Sequence, residues 1–521
     1  MALEENPACG DNELMSSAVA IAVPKPVQKN IIPKAFVQKK TGLALWMERV
    51  LEECDHASIG FTADPVHDLR VALRRCRSLA DGLMAMDPDP EWKRMKKAGK
   101  RLFSRLGELR DVQVMEEWVQ RLATPEDLEA QVLLRSFANR EIQLKQEAAS
   151  ALGEFDRKQW KKWSTTLPRR GAKLRTGTVL FKHLALEKWN AAYDLHRLAL
   201  RNRSKVAFHS LRIGLKRFRY IVENFLPEQH KIWKDDLKEL QDLLGEVHDL
   251  DVLWTAALEV NAFPDIESRL RWQKKIAEER GARIAKYRAK MLGKNSLWQV
   301  WRAALPGGEQ VESAALQRIK LWASYLDPDF KHSDHITKLA MQIYDALLRN
   351  GRWSSTEDSG ERIILQIAAF VHDVGRSRNQ KNPHKLSFKL TCELAPPLGI
   401  TKETLKMAGV VARYHAGSLP RIGQKTLLGL TQSQRQTVNR LSGILRLAEA
   451  FDADHGGRIQ TLTVQEHTGF VLIFAEGYSA RDPLAEKVAA ARHLLEIVLR
   501  RPVLVKPLIA KRKKPAMITR S

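Results

Sequence analysis

Residues 66–77 read VHDLRVALRRCR, and residues 208–219 read FHSLRIGLKRFR. Aligned, the two stretches place His67 opposite His209, and the arginines and leucines that follow stay in register. Each stretch crowds positive charge onto about three helical turns, where like charges at neighbouring positions repel each other. Because so unfavourable a pattern occurs twice, it indicates a charged face that the protein needs.

A second pair of stretches extends this repeat. RLGELRDVQVM at 105–115 matches LLGEVHDLDVL at 243–253, with Leu-Gly-Glu shared and Asp111 opposite Asp249. The simplest interpretation is a single helical domain built from two halves related by pseudo-symmetry.

A helical wheel separates the charged and apolar residues of each stretch. At about 100° per residue, the cations fall within about 80° of the histidine, and the apolar side chains fill the opposite arc. Pseudo-symmetry can then bring both cationic faces to one channel. Arginine dominates, and its guanidinium suits a two-pronged grip on phosphate oxygens. The alternatives are a solvated face, or ion pairs with acids on neighbouring helices such as Asp111, Asp249 and Asp251.

The overall charge points to the same kind of partner. The chain has 521 residues, a net charge of +25 and a pI near 9.9. Such an excess favours polyanions: nucleic acid, an acidic membrane or polyphosphate. A basic surface without a specific partner is the alternative. No apolar run approaches the ~20 residues of a membrane span, and the acidic N-terminus predicts a cytoplasmic protein. The four scattered cysteines indicate neither disulfides nor a cysteine zinc site.

Periodicity predicts a mostly α-helical protein: a two-fold repeated bundle, then a second helical domain with a small α/β appendix. The helices predicted in the first domain span residues 43–53, 64–84, 91–120, 125–150, 180–200, 204–225, 229–260 and 266–291. The appendix is expected to contain two strands around a turn near residues 467–469, a helix and a third strand. We expect the following divisions: a flexible N-terminal segment 1–40, a helical domain 41–292, a linker 293–313, a helical domain 314–456, an α/β appendix 457–506 and a basic tail 507–521.

The paired motifs H-x-x-R-x-x-x-[RK]-R-x-R and L-G-x-x-x-D resemble those of the CHAD domain, the conserved-histidine α-helical domain associated with inorganic polyphosphate. The resemblance covers roughly residues 43–291. One departure is His248, which stands where the first half has Arg110. The candidate polyphosphate-binding residues are His67, Arg70, Arg74, Arg75, Arg77, Arg110, His209, Arg212, Lys216, Arg217 and Arg219.

Histidines and acids recur in the second helical domain. HSDHITKLAMQIYDAL begins at residue 332, LQIAAFVHDVGRS at 365 and ILRLAEAFDADH at 444, with NPHKLS and VARYHAGSLP between the last two. A lone His-Asp pair is weak evidence, but imidazoles combined with carboxylates suit a divalent transition metal such as Mn, Fe or Zn. Such a metal supports hydrolysis of phosphate esters or anhydrides.

The order H…HD…acid resembles the HD superfamily of metal-dependent phosphohydrolases. The resemblance is closest to the C-terminal helical region of exopolyphosphatase/guanosine pentaphosphate phosphatase proteins. It implies a divalent metal (Mn, Fe, Zn or Mg) bound by His335, His372, Asp373 and Glu449, with His372 and Asp373 also catalytic. His384 and His415 would be auxiliary ligands or phosphate contacts, and Asp452 would be a further auxiliary residue of the metal site. In this family the last metal ligand along the chain is usually Asp, so Glu449 at that place is a departure.

Together with these patterns, the two resemblances imply a cytoplasmic polyphosphate-binding protein with an HD-type domain that is either a working hydrolase or a retained binding module. Association with polyphosphate granules and homo-oligomerisation are compatible with the sequence. The alternatives are a guanosine polyphosphate or other nucleotide phosphohydrolase recruited by a basic domain, a non-catalytic granule scaffold, and a nucleic-acid binder. The cationic stripes lack interleaved aromatic residues for stacking bases, which argues against the last.

Overall fold

The computed structural model describes residues 42–124, 126–349, 358–379 and 381–508. The predicted flexible segment 1–40 lies outside the described residues, as does the basic tail from residue 509 onwards. The described part is mostly helical with one small sheet near its C-terminal end, so the predicted fold class is confirmed. Among the described residues, no helix combines the length and apolar character that a membrane span requires.

The first region consists of helices that form one core. They are α1 (Leu43–Ala57), α2 (Ala63–Met84), α3 (Pro90–Ala98), α4 (Lys100–Leu122), α5 (Leu128–Gly153), α6 (Arg157–Gly171), α7 (Val179–Asn202), α8 (Lys205–Phe225), α9 (Pro227–Glu259), α10 (Ile266–Met291) and α11 (Leu297–Ala303).

The packing repeats between the two halves of this region. Helix α1 packs on α2, α2 on α4 and α4 on α5, just as α7 packs on α8, α8 on α9 and α9 on α10. The halves meet where α2 contacts α8 and α4 contacts α9. This arrangement brings the two cationic stretches and the two Leu-Gly-Glu stretches together at one seam.

Three segments of the first region differ from the sequence expectations. Helix α6 had no counterpart among the predicted helices. The helix predicted across residues 91–120 is broken at Gly99, where a β-carbon would lie 3.3 Å from Leu73. The predicted linker 293–313 contains α11, whose Trp298 and Trp301 are buried in the first core. Their apolar burial holds this segment against the bundle.

The second region has its own core of helices and a three-stranded sheet. Its helices are α12 (Glu309–Leu326), α13 (Phe330–Arg349), α14 (Asp358–Val371), α15 (Pro383–Glu393), α16 (Lys402–Arg413), α17 (Gln432–Phe451), α18 (Pro483–Ala491) and α19 (His493–Leu499). The strands are β1 (Leu462–Glu466), β2 (Val471–Ala475) and β3 (Val503–Pro507).

The sheet order is β1-β2-β3, with β1 antiparallel to β2 and β2 parallel to β3. Helices α18 and α19 lie between β2 and β3 in the chain, as a parallel connection requires. The predicted appendix of two strands around a turn, a helix and a third strand is thus confirmed, with the helix interrupted at Arg492.

A buried polar network joins the two regions. His183 on α7 accepts a hydrogen bond from Arg318 Nη1 at 2.9 Å, and its Nε2 donates to the carbonyl of Leu398, also at 2.9 Å. Glu187 pairs with Arg318 and accepts from the backbone N–H of Leu398 at 2.8 Å. Burial, followed by the charge of Arg318, lowers the pKa of His183 and keeps the ring neutral.

Candidate functional site

The cations of α2 and α8 form a cationic cluster, which we define as Arg70, Arg74, Arg212 and Lys216. Burial and the charges of the three arginines lower the pKa of Lys216 to about 7. Burial also lowers the pKa of Arg70. Such shifts arise where like charges are held together and partly withdrawn from water. The two faces predicted from the sequence therefore meet in one site.

Two acids adjoin the cationic cluster without neutralising it. Burial raises the pKa of Asp249 to about 6, against the opposing effect of Arg212. Asp111 lies within electrostatic reach of Arg70 and Lys216, and partial burial raises its pKa too. Within the described residues, Arg212 Nε is buried without a hydrogen-bond partner. An unsatisfied buried donor beside surplus positive charge favours an anionic ligand.

The histidines stand at the ends of the cluster, as the repeat predicts. Partial burial, then the charges of Arg110 and Arg74, lower the pKa of His67, which keeps contact with solvent. In the second half, His209 Nδ1 lies 3.2 Å from His248 Nδ1. Arg110 and His248 thus hold equivalent places beside the two histidines. Burial lowers the pKa of His248 to about 4, so this position is neutral near pH 7.

The remaining candidate cations make other contacts. Arg75 pairs with Glu223 and stacks over the Trp46 ring. Arg77 donates to the carbonyl of Lys96 at 2.7 Å and lies over Phe103. These two side chains stabilise the bundle. Arg219 lies 3.7 Å from the same Glu223, and Arg217 is exposed.

A second cluster occupies the core of the C-terminal region. Ligand atoms of His332 on α13, His372 after α14 and Glu449 on α17 lie within 4.8 Å of one another. Those of His372, Asp373 and His415 do the same. The two groups share His372 and together form the candidate metal centre.

Hydrogen bonds orient the imidazoles of this centre. Nδ1 of His372 bonds the carbonyl of Ala369 at 2.8 Å, and Nδ1 of His415 bonds that of Ala412 at 2.7 Å. Nδ1 of His332 bonds Asp452 Oδ2 at 2.8 Å. Donation from Nδ1 leaves Nε2 as the lone-pair nitrogen, which is how proteins orient histidines that bind metals.

Glu449 faces these nitrogens. Its Oε2 lies 3.2 Å from His332 Nε2 and 3.3 Å from His372 Nε2. His372 Nε2 is buried, and it makes no hydrogen bond within the described part of the chain, to Glu449 or to any other group. Burial opposes ionisation of Glu449, but its contacts with the His332 and His372 rings hold its pKa well below the usual range. The carboxylate is therefore ionised and ready to bind a cation.

The structure changes two assignments made from the sequence. His332, three residues before the predicted ligand His335, contributes to the centre. Both residues are buried, but His335 belongs to neither group of converging ligand atoms in the described residues. Asp452 lies behind His332 and accepts from the backbone N–H of Gly457 at 2.6 Å, so it positions that histidine. Two histidines three residues apart share a helix face, so periodicity alone does not distinguish His332 from His335.

One further histidine went unnoticed in the sequence. The ring of His455 lies 3.9 Å from that of His332, and its Nδ1 bonds Asp329 at 2.8 Å. It therefore packs against the His332 ring. The sequence feature that could have indicated a role for His455 is the stretch FDADH at residues 451–455, where two acids precede the histidine.

Cations border the candidate metal centre. The His384 ring lies 6.5 Å from that of His415. Burial, then the charges of Arg413, Lys385 and Arg446, lower the pKa of His384. In the described part of the chain, Arg413 Nη1 is a buried donor without a partner. This edge of the centre can accept an anionic substrate.

Comparisons with known families find one match in each region of the chain. Residues 47–258 match the profile of the CHAD domain, and residues 318–489 match that of the Ppx/GppA phosphatase, domain III. The chain therefore contains a CHAD domain and a Ppx/GppA phosphatase domain III. Among solved structures, the crystal structure of the CHAD domain from the plant Ricinus communis is 20% identical, covering 51% of this chain and 90% of its own, with a TM-score of 0.34. No curated protein matches.

The matched ranges contain every candidate residue. All candidate polyphosphate-binding side chains lie within the CHAD match, and all candidate ligands lie within the domain III match. The CHAD match ends before α10 and α11, although both contribute to the same core. The domain III match likewise ends before β3.

Proposed function

We propose that the CHAD domain of this protein binds inorganic polyphosphate and that its C-terminal domain is an HD-type, metal-dependent phosphohydrolase. The observation that carries the first part is the cationic cluster, where burial and then like charge lower the pKa of Lys216 and Arg212 Nε lacks a partner in the described residues. A row of phosphates supplies both the charge and the acceptors that such a cluster lacks.

The second part rests on the donor set of the candidate metal centre. His332, His372, Asp373 and Glu449 would hold the cation, since imidazole and carboxylate together suit Mn, Fe or Zn. The buried, unsatisfied His372 Nε2 fits this assignment. When bound, a divalent metal activates water and polarises a phosphoryl oxygen. Lys385 and Arg413 would bind the phosphate chain, and His415 would contact either the metal or the phosphate.

The two domains would act on one ligand class. The CHAD domain would retain a long polyanion close to a centre able to hydrolyse a phosphoanhydride bond. A protein that binds long polyphosphate is also expected to associate with polyphosphate granules.

Binding is tested with the full chain and long-chain polyphosphate. The variant R70A/R74A/R212A/K216A should lose about 100-fold or more in affinity. The control variant K158A/K161A/K162A/K173A removes the same charge from exposed lysines, and its affinity for polyphosphate should stay within about threefold of the wild-type value. The affinity of the wild type should fall as the salt concentration rises. Equal losses in both variants would reduce the proposal to non-specific attraction.

Hydrolysis is tested by phosphate release after loading with Mn, Fe, Zn or Mg, with Asp373→Ala as the inactive control. We expect slow release in the wild type and none in the variant. Metal binding without release by the wild type would leave a binding module, and a wild type that takes up none of these metals would exclude the hydrolase.

A further inference from the structure

A large cavity opens beside the cationic cluster, between α4 and α5 of the first half and α8 and α9 of the second. Its volume is about 800 Å³, within the usual range for small-molecule sites. The apolar side chains that line it include Val112, Met115, Phe137, Leu144, Val252 and Val260. Val206, three-quarters exposed, stands at its edge.

The cavity and the cationic cluster share a wall. Asp111, His209 and His248 line the cavity. The Asp111 carboxylate is within electrostatic reach of Arg70, and the histidines are within reach of Arg212. A ligand held by the cluster therefore lies next to this apolar space.

The polar side chains that line the cavity indicate which class of ligand it could bind. Glu108, Asp251 and Glu259 also border the cavity, and so do the cations Arg140 and Lys205. Glu108 pairs with Arg105 at 2.7 Å, and Asp251 pairs with Arg280 at 3.0 Å. The lining therefore combines acceptors and donors, and a fatty chain has no groups to bond either kind. A nucleobase offers flat apolar faces for side chains such as Phe137 and an edge with both N–H donors and acceptors for this mixed lining.

We propose that this cavity binds the nucleobase of a nucleoside polyphosphate whose phosphates occupy the cationic cluster. The inference rests on the proposed anion site and adds a ligand class to it. The CHAD domain would then distinguish a phosphate chain with a nucleoside end from one without.

Calorimetry with the full chain, in EDTA to prevent hydrolysis, compares GTP and ATP with inorganic tripolyphosphate. Tripolyphosphate carries more negative charge than either nucleotide, so electrostatics alone predict that it binds more tightly. We expect the opposite order for at least one nucleotide, by about tenfold.

Two variants fill the cavity: Val252→Trp, and Thr255→Trp at an exposed position that also lines it. Each should abolish the preference for the nucleotide and leave the affinity for tripolyphosphate unchanged, which also shows that the variant has folded. Ile232→Trp, at an exposed site on α9 outside the lining, should retain the preference.

Tripolyphosphate binding as tight as that of both nucleotides, or a preference that persists in both cavity variants, would overturn this inference and leave polyphosphate binding intact. Failure of both tripolyphosphate and long-chain polyphosphate to bind would overturn the proposed function and this inference together.

Discussion

The guanidinium of Arg70 on α2 lies directly against Gly107 on α4, in the space that a β-carbon at position 107 would occupy. Gly107 belongs to the repeated Leu-Gly-Glu motif, so the second copy has its own glycine, Gly245. A β-carbon on Gly245 would meet nothing within 4 Å. The two copies therefore have the same sequence and different packing, which provides a matched pair of substitutions.

Gly107→Ala should displace Arg70 from the cationic cluster and weaken polyphosphate binding about tenfold, as expected for one charge-assisted contact. Gly245→Ala should bind like the wild type. Calorimetry on both variants gives the comparison. Equal affinity of the two variants would show that the position of Arg70 is unimportant for binding.

Polyphosphate affinity should fall as pH rises from 6 to 8. The pKa of Lys216 is lowered to about 7, so this side chain loses its charge within that interval. Asp249, with a pKa near 6, gains negative charge as pH rises and acts in the same direction. Lys216→Arg should retain its charge throughout and flatten the profile near pH 7. An equally steep profile in that variant would assign the effect to other groups.

His332→Ala should lose bound metal, and His335→Ala should retain most of it. Of these two histidines, only His332 has a ligand atom that converges with those of His372 and Glu449 in the described residues. Elemental analysis after metal loading and dialysis measures the difference, with circular dichroism to confirm folding. Loss of metal in the His335 variant alone would restore the assignment made from the sequence.

Gly82→Ala should lower the free energy of unfolding by about 1–3 kcal/mol, because a β-carbon there would enter the ring of Phe225. That ring is already stacked on Phe181 at 4.3 Å and has little room to move. Gly281→Ala, at an exposed site inside α10 with nothing within 4 Å, should instead stabilise by about 0.5–1 kcal/mol. Denaturant unfolding measures both, and similar changes would contradict the packing argument.

Arg318→Ala should destabilise the protein by about 3 kcal/mol, because Glu187 would lose its cation within the contact between the two regions. The control is Arg101→Ala, whose ion pair with Glu154 is more than half exposed on both sides and should change stability by less than about 1 kcal/mol. Thermal unfolding provides the measurement. A loss no larger than that of the control would show that the buried network contributes little.

The sequence predicted well wherever a pattern repeats along one helix. Apolar periodicity placed most helices of the first region, and the His67 and His209 stretches aligned before any contact was known. It predicted poorly where a short segment is held by distant residues. The segment around Trp298 looks like a linker because its Pro and Gly residues are local signals, whereas its burial depends on helices far away in the chain.

The sequence by itself determined that the protein is helical, that its first domain is duplicated, and that each copy has a cationic face beside a histidine. Only the tertiary structure decided which charges form the site. Neighbours such as Arg74 and Arg75 differ by one position, but Glu223 on another helix binds only the second. His332 and His335 share a helix face, and the rotation of α13 against α17 selects the first. The reason is physical: periodicity fixes which face of a helix is buried, and packing against other helices fixes what each side chain on that face contacts.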